Sequence, residues 1–516
     1  MLSAAALLAL GASMTSFAAG WEKDEAGIWH YYDSDDEMVT GEWKKDGGKW
    51  FYLDDDGDML TDHWVDDEYY VGSDGAMYVN QWFKGFGDDD EQDDPEDDGE
   101  HWYYFGSRGK KVVDQKKKIG GKTYFFNEDG KMRWGWYQDG EDVYYLGEED
   151  EGWRAESQWL WLEKSAVAAD DNDDEFNTIV LDCSEDDECD DEGWYWFQSS
   201  GKMYYGAKKK KINGNFFIFN DHGQMLYEWI NGGEVKRGSN AHLDGNLTTE
   251  GTATIGEMLW YRENGSDSID GSRPTGWFQI DGSEDVGTQD DTDWYYIKKG
   301  EAKHASTDKY YITDDGDPVY VTREKIDGKY FAFNEKGQMQ TGLQFIDGNT
   351  YYFNSDGYQQ TGKQSNVEED DDDTYSYYFS TKNAGNGKGY TGEKDGYLYW
   401  MGKRLEADDD YKIYKVNGSY YLVNTKGKLQ KSTSKKYKID MPDGSTQEDM
   451  QFSIAKKSYK MAETDFVKAN ACVPHIELCD NWIVNKGNTF AVIGKLDVDF
   501  LQEKDLGSAA DEEEEE

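Results

Sequence analysis

The residue types that most often carry catalysis are too dispersed here to carry it. The seven histidines, His30, His63, His101, His222, His242, His304 and His475, are scattered along 516 residues. No HExxH, GxSxG, Walker A or Cys/His nucleophile pattern occurs. Asp and Glu together number 108, so acidic pairs are everywhere and say nothing of a glycosidase, whose two carboxylates must flank one bond. The cysteines form two local pairs, Cys183 with Cys189 and Cys472 with Cys479. In an exported chain such pairs are expected as disulfides closing small loops. Cys472, His475 and Cys479 also have ligand-like spacing, but three ligands fall short of a structural zinc site. Asp54-Asp55-Asp56-Gly57-Asp58 and Asp314-Asp315-Gly316-Asp317 gather the oxygen ligands that calcium prefers, without a 12-residue loop ending in Glu. Weak calcium binding and a plain solvated acidic surface both remain open. With no catalytic set and no cofactor motif, the expectation is a binding protein and not an enzyme.

What remains chemically capable is the aromatic set. A net charge of -54 and few aliphatic residues would ordinarily mean disorder. Against that stand 20 Trp and 38 Tyr, each able to bury roughly 150–250 Å². Rings in this number serve as core, as flat platforms for saccharides, or as cages for cations. The same charge argues against a nucleic-acid partner, which needs clustered Lys or Arg.

The elements that must position these rings recur along the chain. KWFYLDDDGDMLTD (Lys49 to Asp62), KTYFFNEDGKMRWG (Lys122 to Gly135), NFFIFNDHGQMLYE (Asn215 to Glu228), KYFAFNEKGQMQTG (Lys329 to Gly342) and TYYFNSDGYQQTG (Thr350 to Gly362) are copies of one pattern. Each reads as an aromatic strand of period two, an Asn/Asp-x-x-Gly turn, and a short strand bearing Met or Gln. Turn glycines such as Gly57, Gly75, Gly130, Gly223, Gly316, Gly337, Gly357 and Gly427 mark one hairpin per repeat. A lone hairpin leaves its aromatic face without a partner. The chain is therefore expected to be all-β, a solenoid of tandem β-hairpin repeats. Acidic loop insertions, Gly87 to Glu100, Asp170 to Glu175, Glu185 to Glu192, Ser283 to Asp293 and Glu368 to Asp373, fall where hairpin tips are expected. They are read as solvating, charge-repelling loops.

WKKDGGKWFYLDDDGDMLTDHW (Trp43 to Trp64) and the run from Thr322 to Gly362 resemble the cell-wall-binding repeats of Gram-positive surface proteins. That superfamily includes choline-binding repeats, glucan-binding repeats and the C-terminal repeats of large clostridial toxins. The resemblance covers Trp21 to Gln430 with interruptions and implies tryptophan-built ligand sites between successive repeats. Hairpins opening with Trp43, Trp64, Trp82, Trp136 or Trp277 are then the binding ones. The basic hairpins at Gln115 to Lys122, Ala207 to Asn215 and Thr322 to Lys329 are then spacers. In choline-binding repeats three aromatics and a methionine surround a quaternary ammonium. This implies Trp43, Trp50 and Trp64 over Met59 as one site, and Trp64, Tyr69, Met77 and Trp82 as the next. The family's Gly-Trp is Gly41-Glu42-Trp43 here, one residue longer.

The implied function is attachment to choline-bearing teichoic acid or a wall polysaccharide. The competing reading is a structural surface protein whose rings are all core. Leu2 to Leu10 and Ser16-Phe17-Ala18 suggest a signal peptide over residues 1–18, hence a secreted, wall-associated protein with no transmembrane segment. Hairpin repeats then occupy 19–430, a divergent cap or small β region 431–505, and an acidic tail 506–516.

Overall fold

The computed structural model describes residues 20–88, 99–164, 189–206, 209–220, 222–231, 254–262, 270–283, 286–288, 292–312, 318–370, 373–381, 386–474 and 481–483. The expected signal segment lies outside them. Two compact units are formed, one from residues 1–206 and 219–225, the other from 207–218 and 226–516. Both are antiparallel β, and among the described residues no helix is long and apolar enough to cross a membrane.

In the first unit the strands pair as successive two-stranded hairpins. These are β1 (Gly20–Lys23) with β2 (Trp29–Tyr32), β3 (Glu42–Asp46) with β4 (Lys49–Leu53), and β5 (His63–Val65) with β6 (Tyr69–Val71). They continue as β7 (Gln81–Gly85) with β8 (His101–Phe105) and β9 (Gln115–Ile119) with β10 (Lys122–Phe126). The last are β11 (Trp136–Asp139) with β12 (Asp142–Tyr145) and β13 (Gln158–Glu163) with β14 (Glu192–Phe197). Two of the tips, Gly47-Gly48 (φ 52 and 87) and Gly120-Gly121 (φ 58 and 89), are two-residue turns with positive φ at both positions, the turn whose twist suits a hairpin.

This corrects the turn expected from sequence. The main hairpin joins the Trp-bearing or basic strand to the aromatic strand. Asn/Asp-x-x-Gly makes a second turn after it. At Asp54 the carboxylate Oδ1 accepts the N–H groups of Asp56 (3.0 Å) and Asp58 (2.8 Å), and Gly57 donates to Asp54 O at 3.0 Å. The residues that follow form single bridges, Leu53 with Met59 and Val71 with Met77.

That short arm stitches the repeats together. Met59 N–H donates to Trp29 O, Met77 to Trp50 O and Met132 to Trp102 O, each at 2.8 Å, so every arm bonds the preceding hairpin. Its side chain reaches forward instead. A Cβ added to Gly75 would sit 2.6 Å from Met59 Cε, and one on Gly109 would sit 2.4 Å from Met77 Cε. The turn glycine is thus required twice, by its φ of +71° at Gly75 and by the methionine lying on it.

Two of the acidic insertions leave pairing intact, whereas the pair Gly362–Asp370 and Asp373–Phe379 shifts register between Glu368 and Asp370. Residues 86–100 separate β7 from β8, yet Gln81 pairs with Phe105 and Gly85 with His101 in unbroken register. Residues 164–191 separate β13 from β14, which pair from Gln158 with Phe197 to Glu163 with Glu192.

In the second unit hairpins form from Glu228–Asn231 with Met258–Tyr261, Thr275–Ile280 with Asp293–Lys298, Val321–Ile326 with Lys329–Asn334 and Gly342–Ile346 with Asn349–Phe353. Tyr411–Val416 pairs with Ser419–Asn424 and, in parallel, with Tyr437–Asp440. Ile413, Leu422, Ile439, Phe452, Ile454, Met461 and Val467 share one buried cluster. Residues 437–467 therefore pack over the last hairpin. The short helix α1 (Asp465–Ala469) contributes Val467 and is capped by Thr464.

Cys472 corrects a second expectation, because its thiol is free and not bridged to Cys479. It lies beside Tyr414, its N–H donating to Ile413 O at 2.8 Å. Burial, with Asp408 and Asp440 nearby, pushes the thiol up despite Lys412, which makes it a poor nucleophile for disulfide exchange. Cys183 and Cys479 lie outside the described residues, as do His475 and Asp314 to Asp317.

Gly75→Ala is expected to cost about 1–2 kcal/mol from its left-handed backbone and more from displacing Met59. Gly48→Ala, whose added Cβ meets nothing within 4 Å, should lose only the first part. In urea unfolding the extra loss at Gly75 should shrink when Met59 is also changed to Ala. Equal losses at both glycines would show that the methionine contact carries nothing. Deletion of residues 89–98, leaving Phe86-Gly87-Asp88-Gly99-Glu100 as the tip, should not lower the melting temperature, because a shorter loop closes more cheaply, by about 0.6 kcal/mol per halving. A drop of several degrees with altered circular dichroism would assign the insertion a structural role.

Candidate ligand-binding site

Hairpin register decides which rings meet. Trp43 lies directly opposite Tyr52 across the Gly47-Gly48 tip. The two centroids are 5.2 Å apart and the planes are inclined by 63°. Stacking the next hairpin brings Tyr69 to the same Trp43 ring, again at 5.2 Å and 63°. Edge-to-face contacts of this kind are worth about 0.5–1.5 kcal/mol beyond area burial. Two rings canted against a third also leave aromatic faces open to solvent, and all three residues are only half-buried.

The same triad recurs along the chain. Trp21 meets Tyr31 at 5.2 Å and Phe51 at 5.1 Å. Trp82 meets Tyr104 at 5.0 Å and Tyr124 at 4.9 Å. Trp136 meets Tyr145 at 5.4 Å and Tyr195 at 4.8 Å. In the second unit Trp277 meets Tyr296 at 5.2 Å and Phe331 at 4.5 Å. Each has a Trp on the first strand, the ring opposite it, and a ring from the following hairpin.

The residues expected from sequence are redistributed by this arrangement. Trp64 does not stand beside Trp43 and Trp50. It is 7% exposed and packed on Tyr70, Phe83, Tyr103 and Phe105, with its indole N–H donating to Phe86 O at 2.9 Å. Burial, with Asp62 close by, pushes the Tyr70 phenol up to about 12, so this triad is dehydrated. The filler is Phe83, stacked on Tyr70 at 4.0 Å. Trp50 lies nearer the hairpin tip, 38% exposed, with Lys45 Nζ 5.6 Å from its ring. Tyr69 joins Trp43, not Trp64, and Trp82 belongs to the Tyr104–Tyr124 triad. Met59 and Met77 lie on the glycines of the next turns. Tyr52, Tyr104 and Tyr124 were missed; for Tyr52 the signal is arithmetic, since residues equidistant from a two-residue tip face each other, whereas Tyr104 pairs with Trp82 across an insertion and Tyr124 comes from the next hairpin.

Cations already visit some of these rings. Lys44 Nζ stands 4.4 Å from the Tyr31 centroid in the first triad. Lys111 Nζ stands 5.1 Å from Trp64 and pairs with Asp67. In the basic hairpin of Val321–Ile326 the Arg323 guanidinium lies 4.3 Å from Tyr330 and 4.5 Å from Tyr351. It also donates to Gln359 Oε1 and Asn386 O. A basic residue thus supplies from within the positive charge that an aromatic face attracts. At the edge of the Trp43 triad Lys110 Nζ stands 5.6 Å from the Tyr69 ring and pairs with Glu68, while the rest of its surroundings is acidic, since Tyr52 is pushed up first by burial and then by Asp66, Asp55 and Asp54. Among the described residues no group of three or more His, Cys, Asp or Glu is placed to hold a metal.

Family models match these segments. Residues 37–77 and 340–385 match choline-binding repeats. Residues 96–111, 117–132 and 188–203 match the cell wall binding repeat. No curated protein matches the sequence. Among solved structures, similarity is found to the modular autolysin LytC from Streptococcus pneumoniae, at 18% identity over 66% of this chain and 52% of that one, with a TM-score of 0.29. The choline-binding domain of CbpL from Streptococcus pneumoniae is 23% identical over 40% of this chain and 97% of its own, with a TM-score of 0.25. Choline binding protein F from the same organism is 16% identical over 87% and 100%, with a TM-score of 0.19. The chain spans about half the length of LytC. Over these segments the chain carries choline-binding and cell wall binding repeats.

Proposed function

We propose that the protein attaches to choline-bearing teichoic acid of a bacterial cell wall and catalyses no reaction itself. The observation that carries this reading is the half-buried Trp43–Tyr52–Tyr69 triad, which lies inside a matched choline-binding repeat. A trimethylammonium group is too large and too weakly hydrated to be held by one carboxylate. Several ring faces attract it, at about 0.5–2 kcal/mol each. The acidic surface adds long-range attraction and speeds encounter. Triads that enclose Phe83 or Lys44 are already filled. Lys117 Nζ stands 5.9 Å from Tyr104 in the Trp82 triad and Leu160 packs in the cluster of Trp136, so the ligand sites are those of Trp43 and Trp277, and the filled triads hold adjacent hairpins together.

Export of the protein to the wall belongs to the same proposal. So does a bridge between Cys183 and Cys189, supported by a bonded sulfur at Cys189. Mass spectrometry of unreduced secreted protein should show that one link and a free Cys472. A free Cys183 would remove it.

In isothermal titration with choline chloride, Trp43→Ala should lower affinity at its site about tenfold, the cation–π attraction of the lost indole, about 0.5–2 kcal/mol, being at stake. Tyr52→Phe, which keeps the ring face, should leave it within about twofold. Lys44→Met should add a binding site at Trp21. Unchanged choline binding and wall adsorption after Trp43→Ala and Trp277→Ala, with circular dichroism intact, would return these rings to structural core.

A further inference from the structure

The hairpin of Glu228–Asn231 and Met258–Tyr261 departs from the other triads in polarity. Trp229 and Trp260 face each other across it, and they are 3% and 6% exposed. Both indole Nε1–H groups are buried without a hydrogen-bond partner, and so is Arg262 Nε. All three residues line one cavity of about 330 Å³, together with Phe278, Asp270 and Asp281. That volume is at the lower end of small-molecule sites, roughly 300–1,000 Å³. Buried donors of this kind are nearly always satisfied, so three around one cavity call for an acceptor-bearing occupant.

The chemistry of the lining selects its class. Phe278 packs on Trp260 at 4.9 Å and closes the ring face that a cation would use. The Arg262 guanidinium lies 5.5 Å from Phe278 and pairs with Asp270 at 3.0 Å. The two indole N–H donors and the Arg262 guanidinium repel a quaternary ammonium. Asp270 and Asp281, within a chain of net charge -54, repel an anion. What suits all of these groups is a neutral ligand with an apolar face for the rings, oxygen acceptors for the N–H groups, and hydroxyl donors for the carboxylates. We propose that this cavity binds a single neutral sugar residue of a polysaccharide, through Trp229, Trp260 and Arg262, independently of the choline sites.

The full chain labelled with ¹⁵N in its indoles tests this, with Trp229→Phe assigning one resonance and Trp260→Phe the other. Chitotetraose and maltotetraose are titrated as acetylated and unacetylated neutral sugars, with choline chloride in a separate arm. One sugar should shift both indole resonances saturably. Each Phe variant, which keeps the ring and loses the donor, should weaken that sugar about tenfold in calorimetry. No shift with either sugar at millimolar concentration would mean that water alone satisfies the donors, and would overturn the proposal. Shifts of this pair by choline only would overturn it as well. The wild-type titration stands even if a variant misfolds. Choline binding read at Trp43 in the same samples separates this result from the fate of the teichoic-acid reading.

Discussion

Everything in this molecule depends on one constraint: a two-stranded hairpin with an aromatic face cannot bury that face by itself. Trp43 and Tyr52 meet across their own hairpin, and Tyr69 of the next hairpin completes the contact. The ring contact and the single backbone bond from Met77 to Trp50 O join the same neighbours. Fold and candidate site are therefore the same interaction. A ligand that inserts between the rings replaces contacts the protein would otherwise make with itself.

This explains why the triads differ so much in accessibility while sharing one geometry. At Phe83 and Lys44 the residue after the first-strand Trp lies on the preceding triad and occupies it. Phe83 fills the space over Tyr70, and Lys44 places an ammonium over Tyr31. A filled triad gains burial and cohesion. An open one retains unsatisfied aromatic surface. The acidic insertions act on a different scale. Two of them leave strand register untouched, and their negative charge favours cationic ligands and opposes self-association.

Much was legible without coordinates. Period-two aromatics and recurrent turn glycines follow from local chemistry and spacing, which do not depend on tertiary context. The all-β repeat architecture and the tip position of the acidic insertions were readable for the same reason. So was the pairing of Trp43 with Tyr52, given the Gly47-Gly48 tip, although the Asn/Asp-x-x-Gly element drew attention as the more obvious turn.

What only the tertiary structure decided is which hairpin face meets which neighbour. Trp64 and Trp43 occupy equivalent sequence positions, yet Trp64 is buried beneath Phe83 and Trp43 is not, because the filler comes from the following hairpin. Met59 has the composition of a pocket floor but lies on Gly75, since its direction is set by the inter-repeat bond at its own N–H. The free thiol of Cys472 follows from its place beside Tyr414, and the inward indoles of Trp229 and Trp260 from cross-strand register closed over by Phe278. Sequence by itself determined the unit and its repetition, because those rest on residues close along the chain. The contents of each inter-repeat space rest on side chains from successive hairpins, and only their packing settles them.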